Sequence, residues 1–152
     1  MTEHTGHSAS LNRLAFSATW HCLTGCAIGE ILGLVIAQAL GWGDVAAIAL
    51  AIALAFFFGY AFTFVPLVRG GLALAAAVGI ALAADTLSIT VMEIVDNAII
   101  LAVPGAMDAG LDSALFWGSL AVALAFAFVA AYPVNRWLIG RGKGHAVVPH
   151  HH

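Results

Sequence analysis

Four apolar runs constrain this chain more than anything else in it. They cover about residues 13–40, 45–68, 72–103 and 114–138, and each exceeds the roughly 20 residues that a helix needs to cross the hydrocarbon core of a bilayer. The second is the plainest: residues 45–62, VAAIALAIALAFFFGYAF, have no polar face at all. A soluble four-helix bundle would need one on every helix. Only 9% of the 152 residues are charged and 62% are hydrophobic, whereas an average soluble domain is about 25% charged. A chain this short has too little interior to hide that much apolar surface from water. The expected fold is all-α: an integral membrane bundle of four transmembrane helices, with the lipid bilayer as its main partner.

Short connections separate the runs. Gly41-Trp42-Gly43-Asp44 and Arg69-Gly70-Gly71 read as tight turns, and residues 104–113 (PGAMDAGLDS) as a loop in which Asp112 or Ser113 caps the fourth helix. The second run should stop near Pro66. Residues 1–12 (MTEHTGHSASLN) read as a polar tail, with Ser10 or Asn12 as a helix cap, and residues 13–139 as the transmembrane domain. A polar start followed by so long an apolar run argues against a cleavable signal peptide. Residues 140–152 form a basic tail ending in His150, His151 and His152, a tag-like ending set aside from any site.

All five Lys and Arg residues (Arg13, Arg69, Arg136, Arg141 and Lys143) flank the runs on one side, and Asp44, Asp108 and Asp112 lie in the opposite connections. The positive-inside rule then places both termini in the cytoplasm, an N-in/C-in orientation. Trp42 and Trp137 fall where interfacial anchors belong.

The third run carries ADTLSITVMEIVDN at residues 84–97. On a helix, Asp85, Ser88, Met92 and Asp96 fall within about 80° of one another. Thr86, Thr90, Glu93 and Asn97 form an adjoining stripe, and Leu87, Val91 and Ile94 take the other side. A carboxylate near the bilayer centre costs about 2.5–3.5 kcal/mol even on lenient insertion scales, and a sector this wide cannot face lipid. The third helix is therefore expected at the centre of the bundle or at the interface of a homo-oligomer. As a straight helix it would be roughly 45 Å long against a core about 30 Å thick, so it is expected to tilt, kink or project beyond the bilayer, with Asp96-Asn97 as the place for a break or for the first watered turn.

The first run contains HCLTGCAIGEILG at residues 21–33. Gly25, Gly29 and Gly33 recur every fourth residue and form a smooth strip that admits another helix at close range. Cys22, Cys26 and Glu30 lie beside it. Cysteines spaced i, i+4 have nearly parallel Cβ vectors and are badly placed for a bridge, so reduced thiols or metal ligands are expected. Counting inward from Arg13 and Arg69 puts Cys26, Glu30 and Asp85 at mid-depth. Packing of the first helix on the third then gives a track running His21, Cys22, Cys26, Glu30/Asp85, Met92, Glu93 and Asp96. Thiol, imidazole and thioether are soft donors that suit Cu(I), and also Zn(II) or Fe. His21, Cys22, Cys26, Met92 and Glu93 are thus candidate metal ligands, and Glu30, Asp85 and Asp96 candidate ion or proton carriers. His21 points about 100° away from Cys22, so one helix cannot wrap a metal with His21, Cys22 and Cys26 together, and a partner helix or second subunit must contribute. The plainer alternatives are packing for the glycines and cysteines, core filling for Met92 and a headgroup contact for His21. Nothing in the chain matches a phosphate loop, a dinucleotide motif, a hydrolase triad or a CxxCH haem site, and no basic patch fits nucleic acid.

The blocks SATWHCLTGCAIGEILG, ALAADTLSITVMEIVDN, PGAMDAGLDSALFWGSLAVAL and YPVNRWLIGRGKGHA, which together reach from Ala15 to His145, resemble a bacterial domain-of-unknown-function family of small four-helix membrane proteins. Some of its members occur beside, or joined to, copper oxidases. The resemblance implies a bacterial inner-membrane location and a copper or redox setting, with a membrane or periplasmic copper or redox protein as partner. Its motif positions on this chain are His21, Cys22, Cys26, Glu30, Asp85, Met92, Glu93, Asp96, Asn135 and Arg136. The leading expectation is a non-enzymatic protein that binds or conducts a transition-metal ion, Cu(I) first, between helices one and three. The alternatives are a proton-coupled transporter or cation channel that uses the carboxylates, and a structural or assembly subunit of a membrane oxidase complex.

Overall fold

In lipid, backbone groups have no water to bond, so an apolar chain satisfies them internally as helix. The computed structural model describes the backbone of residues 2–141 and the side chains of residues 9–141. The chain forms α1 (Thr2–Ala39), α2 (Asp44–Arg69), α3 (Leu74–Ala102) and α4 (Ala114–Gly140), with no strand among the described residues. All four helices are long and apolar enough to cross a membrane. Their large apolar side chains point outward, as at Phe57, Ile94, Leu101 and Val129, while alanines, cysteines and carboxylates fill the interior. That distribution inverts the soluble pattern and belongs to a multi-pass membrane protein. Sequential helices pack on one another, α4 closes onto α1, and α1 meets α3 across the middle.

Small residues set how closely the helices approach. α2 buries Ala47, Ala51, Ala55, Gly59, Thr63 and Leu67, one in every four. α4 does the same with Ala123, Ala127, Ala131, Asn135 and Ile139. The glycine strip of α1 fits against the α2 row. A Cβ on Gly25 would come 2.9 Å from Gly59 Cα, one on Gly33 would come 2.6 Å from Ala51 Cα, and one on Gly29 would run into the backbone of Leu54 and Ala55. The helix that the strip admits is therefore α2. The neighbouring row, Cys22-Cys26-Glu30, is turned towards α3.

The helix ends differ from expectation in three places. α1 begins at Thr2 and takes in the expected polar tail. Extending an existing helix adds a hydrogen bond for each residue fixed, and Asn12 is engaged elsewhere: Arg136 Nε donates to its Oδ1 at 2.7 Å. α2 continues through Pro66 to Arg69. α3 passes unbroken through Asp96-Asn97, where Asn97 Nδ2 donates back to the Glu93 carbonyl at 2.8 Å and to Glu93 Oε2 at 3.3 Å. Ser113 caps α4 as expected, its hydroxyl accepting from Leu115 N at 3.2 Å. Gly41 and Gly71 turn the chain at φ 68° and 93°. Lys143 and His150–His152, with the rest of residues 142–152, and the side chains of His4 and His7 lie outside the described residues. One end of the bundle carries Arg69, Arg136 and Arg141, and the other carries the connections with Asp44, Asp108 and Asp112. They are termed here the basic and acidic ends.

Gly29→Ala should destabilise the bundle by about 1–3 kcal/mol, the usual cost of overpacking. Gly79→Ala, whose Cβ would meet nothing within 4 Å, should not. Thermal unfolding of the two variants in detergent checks this, and equal midpoints would contradict the close α1–α2 contact.

Candidate functional site

Because the glycine strip faces α2, the row Cys22-Cys26-Glu30 looks across the bundle at Asp85, Ser88, Met92, Glu93 and Asp96 of α3, and all of these residues are buried. α1 and α3 run in the same direction, so their pairings advance together along the seam. Cys22 Sγ donates to Asp85 Oδ1 at 3.2 Å, with Ser88 beside it. One turn further, the Cys26 thiol lies within reach of the Glu93 carboxyl. A further turn on, the carboxyls of Glu30 and Asp96 face each other within hydrogen-bonding reach. The sequence places Glu30 and Asp85 at one depth, but here Asp85 lies level with Cys22 and Glu30 level with Asp96. Arg13 does not mark the lower end of α1 as Arg69 marks that of α2, so a count from the two arginines sets the wrong register.

Met92 is 1% exposed and packs with Cys22, Cys26, Ile89, Ala55, Ala127 and Ala131 in one cluster. His21 is exposed, with Nδ1 2.8 Å from the carbonyl of Ser17, and stands apart from the track. The wide polar sector of α3 divides in two. Its acids face inward. Its threonines bond their own helix, Thr86 to Leu82 O at 2.7 Å and Thr90 to Thr86 O at 2.6 Å, and Thr86 Oγ1 also lies 2.7 Å from Tyr60 Oη. Among the described residues, no three His, Cys, Asp or Glu side chains converge as a metal-ligand set.

Thr19 joins the buried polar residues and is absent from the sequence expectations. Asn135 Nδ2 donates to Thr19 Oγ1 at 3.0 Å, and that hydroxyl donates to the Ala15 carbonyl at 2.7 Å. The signal for the pair is Asn135 itself, a full amide standing in line with the every-fourth alanines of α4.

The Glu30–Asp96 pair is chemically incomplete. Both Asp96 oxygens and Glu30 Oε2 are buried without a hydrogen-bond donor. Ionised carboxyls only accept, and two such charges 4 Å apart repel by roughly 4 kcal/mol at an effective dielectric of 20. Among the described residues, no side chain supplies the donor or positive charge that would offset this.

The fold and seam define a four-helix multi-pass membrane protein with paired acids between its first and third helices. A family model described as a domain of unknown function (DUF4396) matches residues 11–144, and the chain belongs to that family. No curated protein and no solved structure matches it.

Asn135→Ala should cost about 1 kcal/mol, the usual size of an interhelical hydrogen bond in lipid. Unfolding in detergent checks this, and a neutral result would remove the Thr19–Asn135 bond from the account.

Proposed function

We propose that this protein is a proton-coupled transporter or cation channel whose charge-carrying groups are Glu30, Asp96 and Glu93, with Asp85 at the basic-side end of the same track. The observation that carries the reading is the donorless Glu30–Asp96 pair, formed by side chains 3% and 1% exposed from two different helices. Ionisable groups buried in a membrane are costly, and they characteristically mark ion and proton pathways. Two facing carboxyls can hold one proton or one cation and release it with little movement. The thiols of Cys22 and Cys26 serve as donors to Asp85 and Glu93. In the membrane, the positive-inside rule makes the basic end cytoplasmic.

In proteoliposomes, Glu30→Gln and Asp96→Asn should each reduce proton-linked flux by about tenfold or more, the loss that follows from removing roughly 1.4 kcal/mol of barrier lowering. Cys22→Ser/Cys26→Ser should transport at close to the unmodified rate. Undiminished flux in Asp96→Asn would contradict the reading.

A second reading has its own observation. Cys22, Cys26 and Met92 share one buried cluster, and two thiolates with a thioether are a fitting donor set for Cu(I). It ranks second because the Cys22 proton is directed at Asp85 and because His21 could join such a set only through a second subunit. If it holds, protein made in copper-supplemented cells retains copper, and the double-serine variant does not. Equal copper content in the two would exclude this cluster as the site. The copper or redox partner belongs with this second reading.

A further inference from the structure

The acid track ends differently in its two directions. Towards the basic end it stops at Cys22 and Asp85. Beyond them α1 presents Ala18 and Ala15, α3 presents Ala81 and Ala77, and α4 presents Ile139, all buried. Asn135 and Thr19 tie α4 to α1 at this level. Among the described residues, no buried ionisable group lies on that side.

Towards the acidic end the same rows continue past the carboxyl pair. One turn beyond Glu30 is Leu34, and two turns beyond is Gln38. One turn beyond Asp96 is Ile100. Leu34, Gln38 and Ile100 line a cavity of about 20 Å³ together with Met107, Phe116 and Ser119. A single water needs about 10–15 Å³ of such space, so the cavity is the size of one water and too small for a hydrated cation. It also has polar lining. The Ser119 hydroxyl donates to the carbonyls of Leu115 and Phe116 at 2.5 and 3.1 Å and keeps lone pairs to offer. Gln38 Nε2 lies 3.5 Å from the carbonyl of Ala109. The roof is the connection 103–113. Its Ala106 and Ala109 are buried, and Ala109 packs with Phe116 and Leu120, against Ile31 and Leu34. Trp117 Nε1 holds the far side of this connection through the Leu111 carbonyl at 2.7 Å.

We infer that the connection 103–113 is the gate of a path to the Glu30–Asp96 pair that opens only at the acidic end, and that the chamber beneath it, with Gln38 and Ser119 as its polar lining, is the vestibule of that path. That a charge moves along this path rests on the transport reading above, whereas the side of access rests on the packing alone. The path requires the roof to lift, and it requires the alanine layer at the other end to stay closed while it does.

The test uses the full chain in sealed vesicles. Leu34→Cys and Ile100→Cys sit in the chamber, Ala18→Cys and Ala81→Cys sit in the alanine layer, and Asp108→Cys, exposed on the roof, reports which way the protein faces. A small membrane-impermeant thiol reagent is added to one side at a time, and peptide mass spectrometry separates the new adduct from any on Cys22 or Cys26. Leu34→Cys and Ile100→Cys should label from the acidic side only, and Ala18→Cys and Ala81→Cys from neither. Chamber labelling from the basic side overturns the inference, as does absence of chamber labelling from both sides while Asp108→Cys reacts. Two cysteines per region keep the result readable if one variant fails to fold. If Asp96→Asn leaves flux undiminished while the chamber cysteines label as expected, the transport reading falls and the one-sided access stands.

Discussion

Gly29 and Gly33 let α1 and α2 approach backbone to backbone, and the rest of the interior depends on that contact. In lipid there is no hydrophobic force between helices, so close packing and interhelical hydrogen bonds hold them together. A side chain at Gly29 would overlap the backbone of Leu54 and Ala55. With the glycines pressed on α2, the adjacent row of α1 has one direction left, towards α3. Cys22, Cys26 and Glu30 therefore meet Asp85, Glu93 and Asp96 in the centre of the bundle.

That meeting provides for the carboxyls of the seam unequally. Cys22 gives Asp85 a donor, and Asn97 gives Glu93 one. Glu30 and Asp96 face each other with no donor for either Asp96 oxygen. The fold spends small residues freely elsewhere, with alanine or glycine at four successive buried positions of α2, so apolar filling was available at this level too. Holding two carboxyls there carries a stability cost that apolar filling would have avoided.

Much of the architecture can be read from composition and spacing. Four apolar runs, the capping Ser113 and the inward side of α3 all follow from local rules that lipid makes strict. Which helix the Gly25-Gly29-Gly33 strip touches does not follow, because a smooth strip fits any smooth partner. The every-fourth alanines of α2 and α4 were the available clue. Register across the seam was also out of reach: one-dimensional depth set Asp85 beside Glu30, whereas packing sets it beside Cys22. His21 adjoins Cys22 in sequence yet lies on the exposed face, which a 100° step between neighbours allows. Thr86 and Thr90 widened the apparent polar sector although each can bond the carbonyl four residues back, a local solution that hides polarity from lipid.

The central claim is that Glu30 and Asp96 hold a proton between them inside the bundle. Infrared spectroscopy of the purified protein at neutral pH reads it directly. The account predicts a carboxylic-acid C=O band, shifted in heavy water, with a component that disappears in Glu30→Gln/Asp96→Asn. A folded double variant whose carboxylic-acid band matches that of the unmodified protein would contradict it.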